Sequence, residues 1–154
     1  MELVLTKGGG DRLEDCRAVF LDSEIYARYF ADDGRLERSL KNAADKGELY
    51  HALTATGEIA GAMRVAMSGF CGLYPYLALI GTRSDFRGKG VGRFLLDALE
   101  RMAREGGYRR VTLMVSDFNL GAKALYEARG YRVLGEIPDA AKPGIGEFVM
   151  IKDL

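Results

Sequence analysis

The chain has 154 residues, 48% apolar and 29% charged, with 22 basic residues balanced by 22 acidic ones. That size suits one domain with a buried core, expected here over residues 1–154, and a net charge of zero excludes bulk attraction to nucleic acid or an anionic membrane. Cys16 and Cys71 lack metal-ligand spacing, no apolar run reaches the length of a membrane span, and residues 1–7 read as a strand rather than a leader, so a cytoplasmic protein without a resident metal is expected.

In chain order, residues 2–7 form the first expected strand, closed by Gly8, Gly9 and Gly10. Asp11 is placed to cap a helix running to about residue 22, with Leu13, Cys16, Val19 and Phe20 on one face. Residues 23–30 are aromatic and helical or turn-rich. Asp32 or Asp33 is expected to cap a second helix over 35–45, with Leu36, Leu40 and Ala44 facing inward and Gly47 ending it. Strands over 49–55 and 58–67 flank a hairpin turn at Thr56 and Gly57. A loop over 68–75 leads to a strand over 76–82. A helix over 91–105 stops at Gly106 and Gly107, and a strand follows over 110–115, with Val111, Leu113 and Val115 alternating against Thr112 and Met114. A short helix begins near Asn119 and ends at Gly130. The chain closes with an antiparallel pair over 131–137 and 146–152, joined by a turn-rich link. The order β-α-α-β-β-β-α-β-α-β-β predicts a mixed α/β sandwich around one sheet.

The stretch from Arg87 through Gly88, Lys89, Gly90 and Val91 to Gly92 joins the strand over 76–82 to the long helix. Amides at such a turn converge, the helix dipole adds partial positive charge, and glycines let the backbone approach a bulky anion. Arg83, Arg87, Lys89 and Arg93 add full positive charges. The spacing fits neither a P-loop, which ends in Gly-Lys-Ser/Thr, nor a dinucleotide fingerprint. Taken alone, the turn is a phosphate cradle or an ordinary strand-to-helix connection.

Three pieces read in order resemble the GNAT superfamily of acyl-CoA-dependent N-acyltransferases. They are Arg87-x-x-Gly90-x-Gly92, a strand from Arg110 to Val115 leading to Asn119, and the helix end Leu125-Tyr126-Glu127-x-x-Gly130-Tyr131. The resemblance spans about residues 76–150. It implies a mixed, mostly antiparallel sheet flanked by helices, acetyl-CoA as acyl donor, and an amine as acceptor. A small-molecule or amino-acid-like amine is the leading acceptor. A protein N-terminus or lysine, or a non-catalytic acyl-CoA-binding role, is the alternative. A homodimer is left open.

Carried onto this sequence, the resemblance places the diphosphate on Arg87, Gly88, Lys89, Gly90, Val91 and Gly92, with Arg93 adjacent. The pantetheine arm lies along Ile80, Gly81 and Thr82 like an added strand, and the Ile80 amide is a candidate donor to the thioester oxygen. Gly81 marks either close backbone approach or relief of packing. Tyr126 is the expected donor to the departing thiolate. Asn119 either bonds the cofactor or caps the following helix. No base is assigned, because residues 77–82 contain no Asp or Glu. Asp22, Glu24, His51 and water held by Tyr50, Tyr74 or Tyr76 are the candidates. Residues 22–30 are the expected acceptor wall.

Overall fold

A computed structural model describes residues 1–30 and 34–154. The expected caps Asp32 and Asp33 lie outside the described residues. The elements are β1 (Leu3–Lys7), α1 (Leu13–Ala18), α2 (Arg35–Asp45), β2 (Leu49–Thr54), β3 (Ile59–Phe70), β4 (Tyr74–Thr82), α3 (Val91–Glu105), β5 (Arg110–Ser116), α4 (Leu120–Ala128), β6 (Arg132–Lys142) and β7 (Ile145–Asp153). This is the order that the sequence predicts. The strands form a 7-stranded sheet in the order β1-β2-β3-β4-β5-β7-β6. The β4–β5 pair is parallel; β1–β2, β2–β3, β5–β7 and β6–β7 are antiparallel. The expected mixed, mostly antiparallel α/β architecture is therefore present. No helix among the described residues is long and apolar enough to cross a membrane.

The chain divides into two compact units, residues 1–65 with 79–99, and residues 66–78 with 100–154. The first unit is built on Cys16, Val19, Phe20, Leu36, Leu40, Leu49 and Ile59, all buried. In α2 Leu36, Leu40 and Ala43 are buried, and Ala44, partly covered, packs against the same core as expected. Gly47 takes a φ of +69°, which ends the helix as expected. Gly61 admits α3 against β3: a Cβ there would meet Val91 Cγ1 at 2.6 Å.

Helix α1 departs from expectation at both ends. It starts at Leu13 after a short 3-10 turn, with Arg12 at the cap position and no side-chain cap, so Asp11 does not cap it. It stops at Ala18, and the next amides, Val19 and Phe20, bond back three residues to Cys16 and Arg17. Ser23 makes the break. Its hydroxyl donates to the Phe20 carbonyl at 2.6 Å and accepts from the Tyr26 amide at 3.1 Å, ending one helical segment and starting the next. Tyr26–Phe30 is a π-helical turn, a rare conformation that recurs at functional sites.

In the second unit, β5 lies between β4 and β7. Tyr76 and Leu77 pair with Thr112 and Leu113, and the β5–β7 ladder runs from Arg110 opposite Asp153 to Ser116 opposite Glu147. The expected polar face of β5 is covered at Thr112, whose hydroxyl donates to the Pro75 carbonyl at 2.8 Å. The loop expected over 68–75 is instead a tight turn, because β3 continues to Phe70 and β4 begins at Tyr74. Cys71 and Gly72 both take positive φ, 54° and 72°, as a two-residue hairpin centre requires. The link expected after Ile137 likewise shrinks, because β6 continues to Lys142. As the outermost strand it tolerates Pro138, and its register with β7 is irregular between Ile137 and Lys142.

Candidate active site

The first unit holds the glycine turn. Gly88 and Gly90 adopt φ of +75° and +86°, conformations that side-chain-bearing residues rarely take. A Cβ at either would meet nothing within 4 Å, so their purpose is backbone shape rather than internal packing. The Phe94 amide closes the first α3 hydrogen bond onto Gly90 O at 3.0 Å. Among the described residues, no amide from Gly88 to Arg93 makes a backbone hydrogen bond of normal geometry. These donors stand at the positive end of a 15-residue helix.

The charges around the turn are not equivalent. Arg83 is neutralised by Asp85 at 2.7 Å and Glu58 at 3.0 Å, and in turn holds the Asp85 carboxyl below its ordinary range. The Arg87 guanidinium donates to the Asp22 carbonyl and ties the turn to the segment after α1. Lys89 and Arg93 form no ion pair among the described residues; the Lys89 ammonium lies 5.6 Å from the Phe86 ring centre. The positive charge expected from Arg83 is therefore spent locally, whereas that of Lys89 and Arg93 is not.

Ile80, Gly81 and Thr82 lie beyond the registered pairs of the β4–β5 ladder. Gly81 relieves packing: a Cβ there would stand 2.5 Å from Phe20 Cε1. The approach of an aromatic ring accounts for this glycine without a ligand. A Cβ at Gly92 would meet only Thr82 Oγ1, at 4.0 Å.

The second unit holds Asn119 and Tyr126. Asn119 caps α4, its side-chain oxygen accepting from the Ala122 amide at 3.4 Å. Its side-chain NH2 bonds to none of the described residues. Tyr126 is 7% exposed, and burial pushes its phenol up to about 12. Among the described residues its hydroxyl has no hydrogen-bond partner, while its ring meets Tyr131 edge-on, centroids 5.8 Å apart. Tyr131 belongs to a network that sequence reading missed. Glu100, buried on α3, accepts from Lys152 at 2.7 Å, Arg129 at 3.0 Å and the Tyr131 hydroxyl at 3.2 Å.

The candidate bases fare differently. Asp22 is exposed, and Glu24 is paired with Arg28 at 2.8 Å. His51 is 2% exposed, its imidazole is pushed down chiefly by burial, and its Nε2 has no partner among the described residues. The hydroxyl of Tyr74 accepts from Arg110 at 3.0 Å, whereas Tyr50 is half-buried on β2. The phenol of Tyr76 is pushed up by burial and then by the charge of Glu147. Glu147 is a buried carboxylate that the sequence did not single out, since one acid in the strand Gly146-Glu147-Phe148 carries no visible signal. Among the described residues no group of three or more His, Cys, Asp or Glu is arranged to hold a metal ion.

Comparison with known proteins identifies the family. Residues 13–131 match the acetyltransferase (GNAT) family. An acetyltransferase of Pectobacterium atrosepticum is 30% identical over 99 residues, 64% of this chain and 66% of that protein. The crystal structure of a GNAT-family acetyltransferase from Bacillus cereus superposes with a TM-score of 0.78 at 17% identity, over 99% of this chain and 98% of that one. Nourseothricin acetyltransferase is 27% identical with a TM-score of 0.61, over 68% of this chain and 64% of that one. The chain spans less than two thirds of the relatives it matches by sequence, 58% of a Bacillus subtilis protein and 66% of the Pectobacterium one. With the match covering most of its 154 residues, the chain belongs to the acetyltransferase (GNAT) family.

Proposed function

We propose that this chain transfers an acetyl group from acetyl-CoA to the primary amine of a small-molecule or amino-acid-like acceptor. The observation that carries the reading is the run of amides from Gly88 to Arg93, which make no hydrogen bond of normal length to backbone acceptors among the described residues and lead into the first turn of α3. Such a run suits a diphosphate, with Lys89 and Arg93 supplying counter-charge. In this reading the backbone of Ile80, Gly81 and Thr82 takes the pantetheine arm, and the Ile80 amide polarises the thioester oxygen. The Asn119 side-chain NH2 serves the cofactor while its oxygen caps α4. The similarity to nourseothricin acetyltransferase favours a small acceptor.

Tyr126 acts on the leaving group. With its phenol at about 12 it keeps its proton at neutral pH, and it remains a weaker acid than a thiol of about 8.5. Its contribution is therefore a hydrogen bond to the departing thiolate rather than outright protonation.

Thermal shift tests the binding half. CoA and acetyl-CoA should raise the melting temperature, whereas ATP and NAD should not. Thiol release from acetyl-CoA across a panel of amines tests the transfer half. Gly90→Glu should remove the CoA-induced shift; its φ of +86° makes the variant melt somewhat lower, by about 1–2 kcal/mol of stability, so the shift is read against the variant's own ligand-free melting. Equal stabilisation of wild type and variant by CoA would refute the site.

A further inference from the structure

Within the first unit, the segment that leaves α1 is fastened at two points to the stretches expected to carry the coenzyme. The Phe20 ring packs flush on β4 at Gly81, where a Cβ would stand 2.5 Å from Phe20 Cε1. Two residues on, the Asp22 carbonyl accepts from the Arg87 guanidinium, which reaches it from the head of the glycine turn, 65 residues away in sequence. Farther along, Tyr29 is buried, and Tyr26 and Phe30 pack against the core of the unit. Between these anchors Leu21, Asp22 and Glu24 are exposed, while Ser23 and Ile25 are half-buried. Ser23 bonds to Phe20 and Tyr26, and Glu24 bonds to Arg28, all within the segment, whereas the Arg87 bond comes from another element. A stretch with so little burial opens easily, so a tie from outside weighs heavily in its restraint.

The other end of that tie is a turn with equally little to hold it. Residues 87–90 are exposed, Gly88 and Gly90 take positive φ, and the amides that follow are the ones without backbone partners described above. A diphosphate seated on those amides fixes the backbone of the turn, and the residue that opens the turn is the one that grips Asp22. Lys89 and Arg93 stand beside the amides as counter-charges, which leaves the Arg87 side chain to its carbonyl partner.

We propose that Arg87 is a positioning residue: through the Asp22 carbonyl its side chain passes the ordering of the glycine turn by the coenzyme diphosphate into residues 21–25, where the expected acceptor wall begins. This inference rests on the acetyltransferase reading above and supplies that reading with a link by which a seated coenzyme shapes the acceptor side. Ordering shared by two sites is a coupling free energy and acts in both directions, so an acceptor resting on the wall tightens the coenzyme in turn.

Hydrogen–deuterium exchange of the full chain tests the link, with CoA as the probe and Arg87→Met, Arg87→Lys and Lys89→Met as the variants, each read at saturating CoA. In wild type, CoA should slow exchange over residues 21–26 about fivefold or more, the lower end of ordinary coupling between sites. Arg87→Met should exchange faster there in the free protein and lose more than about half of the CoA-dependent slowing. CoA should still protect residues 88–94 of that variant and bind within about 30-fold of its wild-type affinity. Arg87→Lys keeps the charge but not the planar fork, so it should restore part of the slowing. Lys89→Met removes a charge but not the tie, so it should weaken CoA binding and yet, once saturated, keep the slowing at residues 21–26. A merely structural Arg87 would alter exchange in the free protein alone and leave the CoA-dependent slowing intact, and that result overturns the inference. So does an equal loss of slowing in Lys89→Met, or a wild type that binds CoA without slowing residues 21–26. A larger loss of CoA affinity in Arg87→Met also overturns it, because the guanidinium would then serve the diphosphate directly. Failure of wild type itself to bind CoA would overturn the acetyltransferase reading and the inference together.

Discussion

Replacing Glu100 with Gln removes the negative charge on which Lys152, Arg129 and Tyr131 converge. The size of the effect follows from exposure. The Glu100 side chain is 5% exposed, and those of Arg129 and Lys152 are 17% and 19% exposed. Removing one partner of a buried ion pair costs about 3–5 kcal/mol. Here the two cations can recover some hydration, and Gln retains one acceptor oxygen, so the expected loss is about 2–4 kcal/mol. For a chain of 154 residues, each kcal/mol is worth roughly 2–4 °C in Tm. Urea unfolding should show the midpoint falling at constant slope. A second readout is specific to the network. Burial and then the Glu100 charge push the Tyr131 phenol up, so ultraviolet titration of the variant should show one tyrosine ionising at lower pH than in wild type. A stability loss below about 1 kcal/mol, the value of an exposed pair, would refute the reasoning.

Tyr126→Phe should lower kcat roughly 10- to 100-fold while changing CoA affinity by less than about twofold, measured by steady-state kinetics and calorimetry; parallel losses in both would point to packing instead. A thiol reagent should modify Cys71, which is exposed, in the native protein, and Cys16 only after denaturant, since Cys16 is buried with its thiol pushed up to about 12. His51 makes stability depend on pH. Burial lowers its folded-state value below the ordinary 6.5, so the unfolded chain binds the extra proton. Its contribution is complete above about 6.5 and is lost as pH falls toward the folded value, with a slope of at most about 1.4 kcal/mol per pH unit. His51→Gln should flatten that slope in denaturant titrations carried downward from about pH 7.

Strong periodicity made much of the fold readable before any coordinates. The spacing of Phe94, Leu95, Leu96, Ala98, Leu99 and Met102 and the paired Gly106-Gly107 marked out α3, and alternation placed β5 within one residue. The errors fell where local composition and tertiary demand disagree. Ser68 and Gly69 look like loop residues, yet β3 carries them because Cys71 and Gly72 supply the turn geometry two residues later. Ser23 breaks a helix whose apolar pattern alone continues. In the site, the glycine turn was visible because its chemistry is contiguous in sequence. Glu147, Ser116 and Glu100 were not, because each gains its meaning only from a neighbour tens of residues away, through strand register for Ser116 and Glu147 and through the cations around Glu100.

The contact between Phe20 and Gly81 has a bearing on how this chain can change. The strand that would carry the coenzyme arm lies flush beneath an aromatic ring supplied by the turn that follows α1, with no room for even a methyl group between them. The two positions therefore cannot drift independently: a bulkier residue at 81 demands a slimmer one at 20, and the segment following position 20 must shift in step.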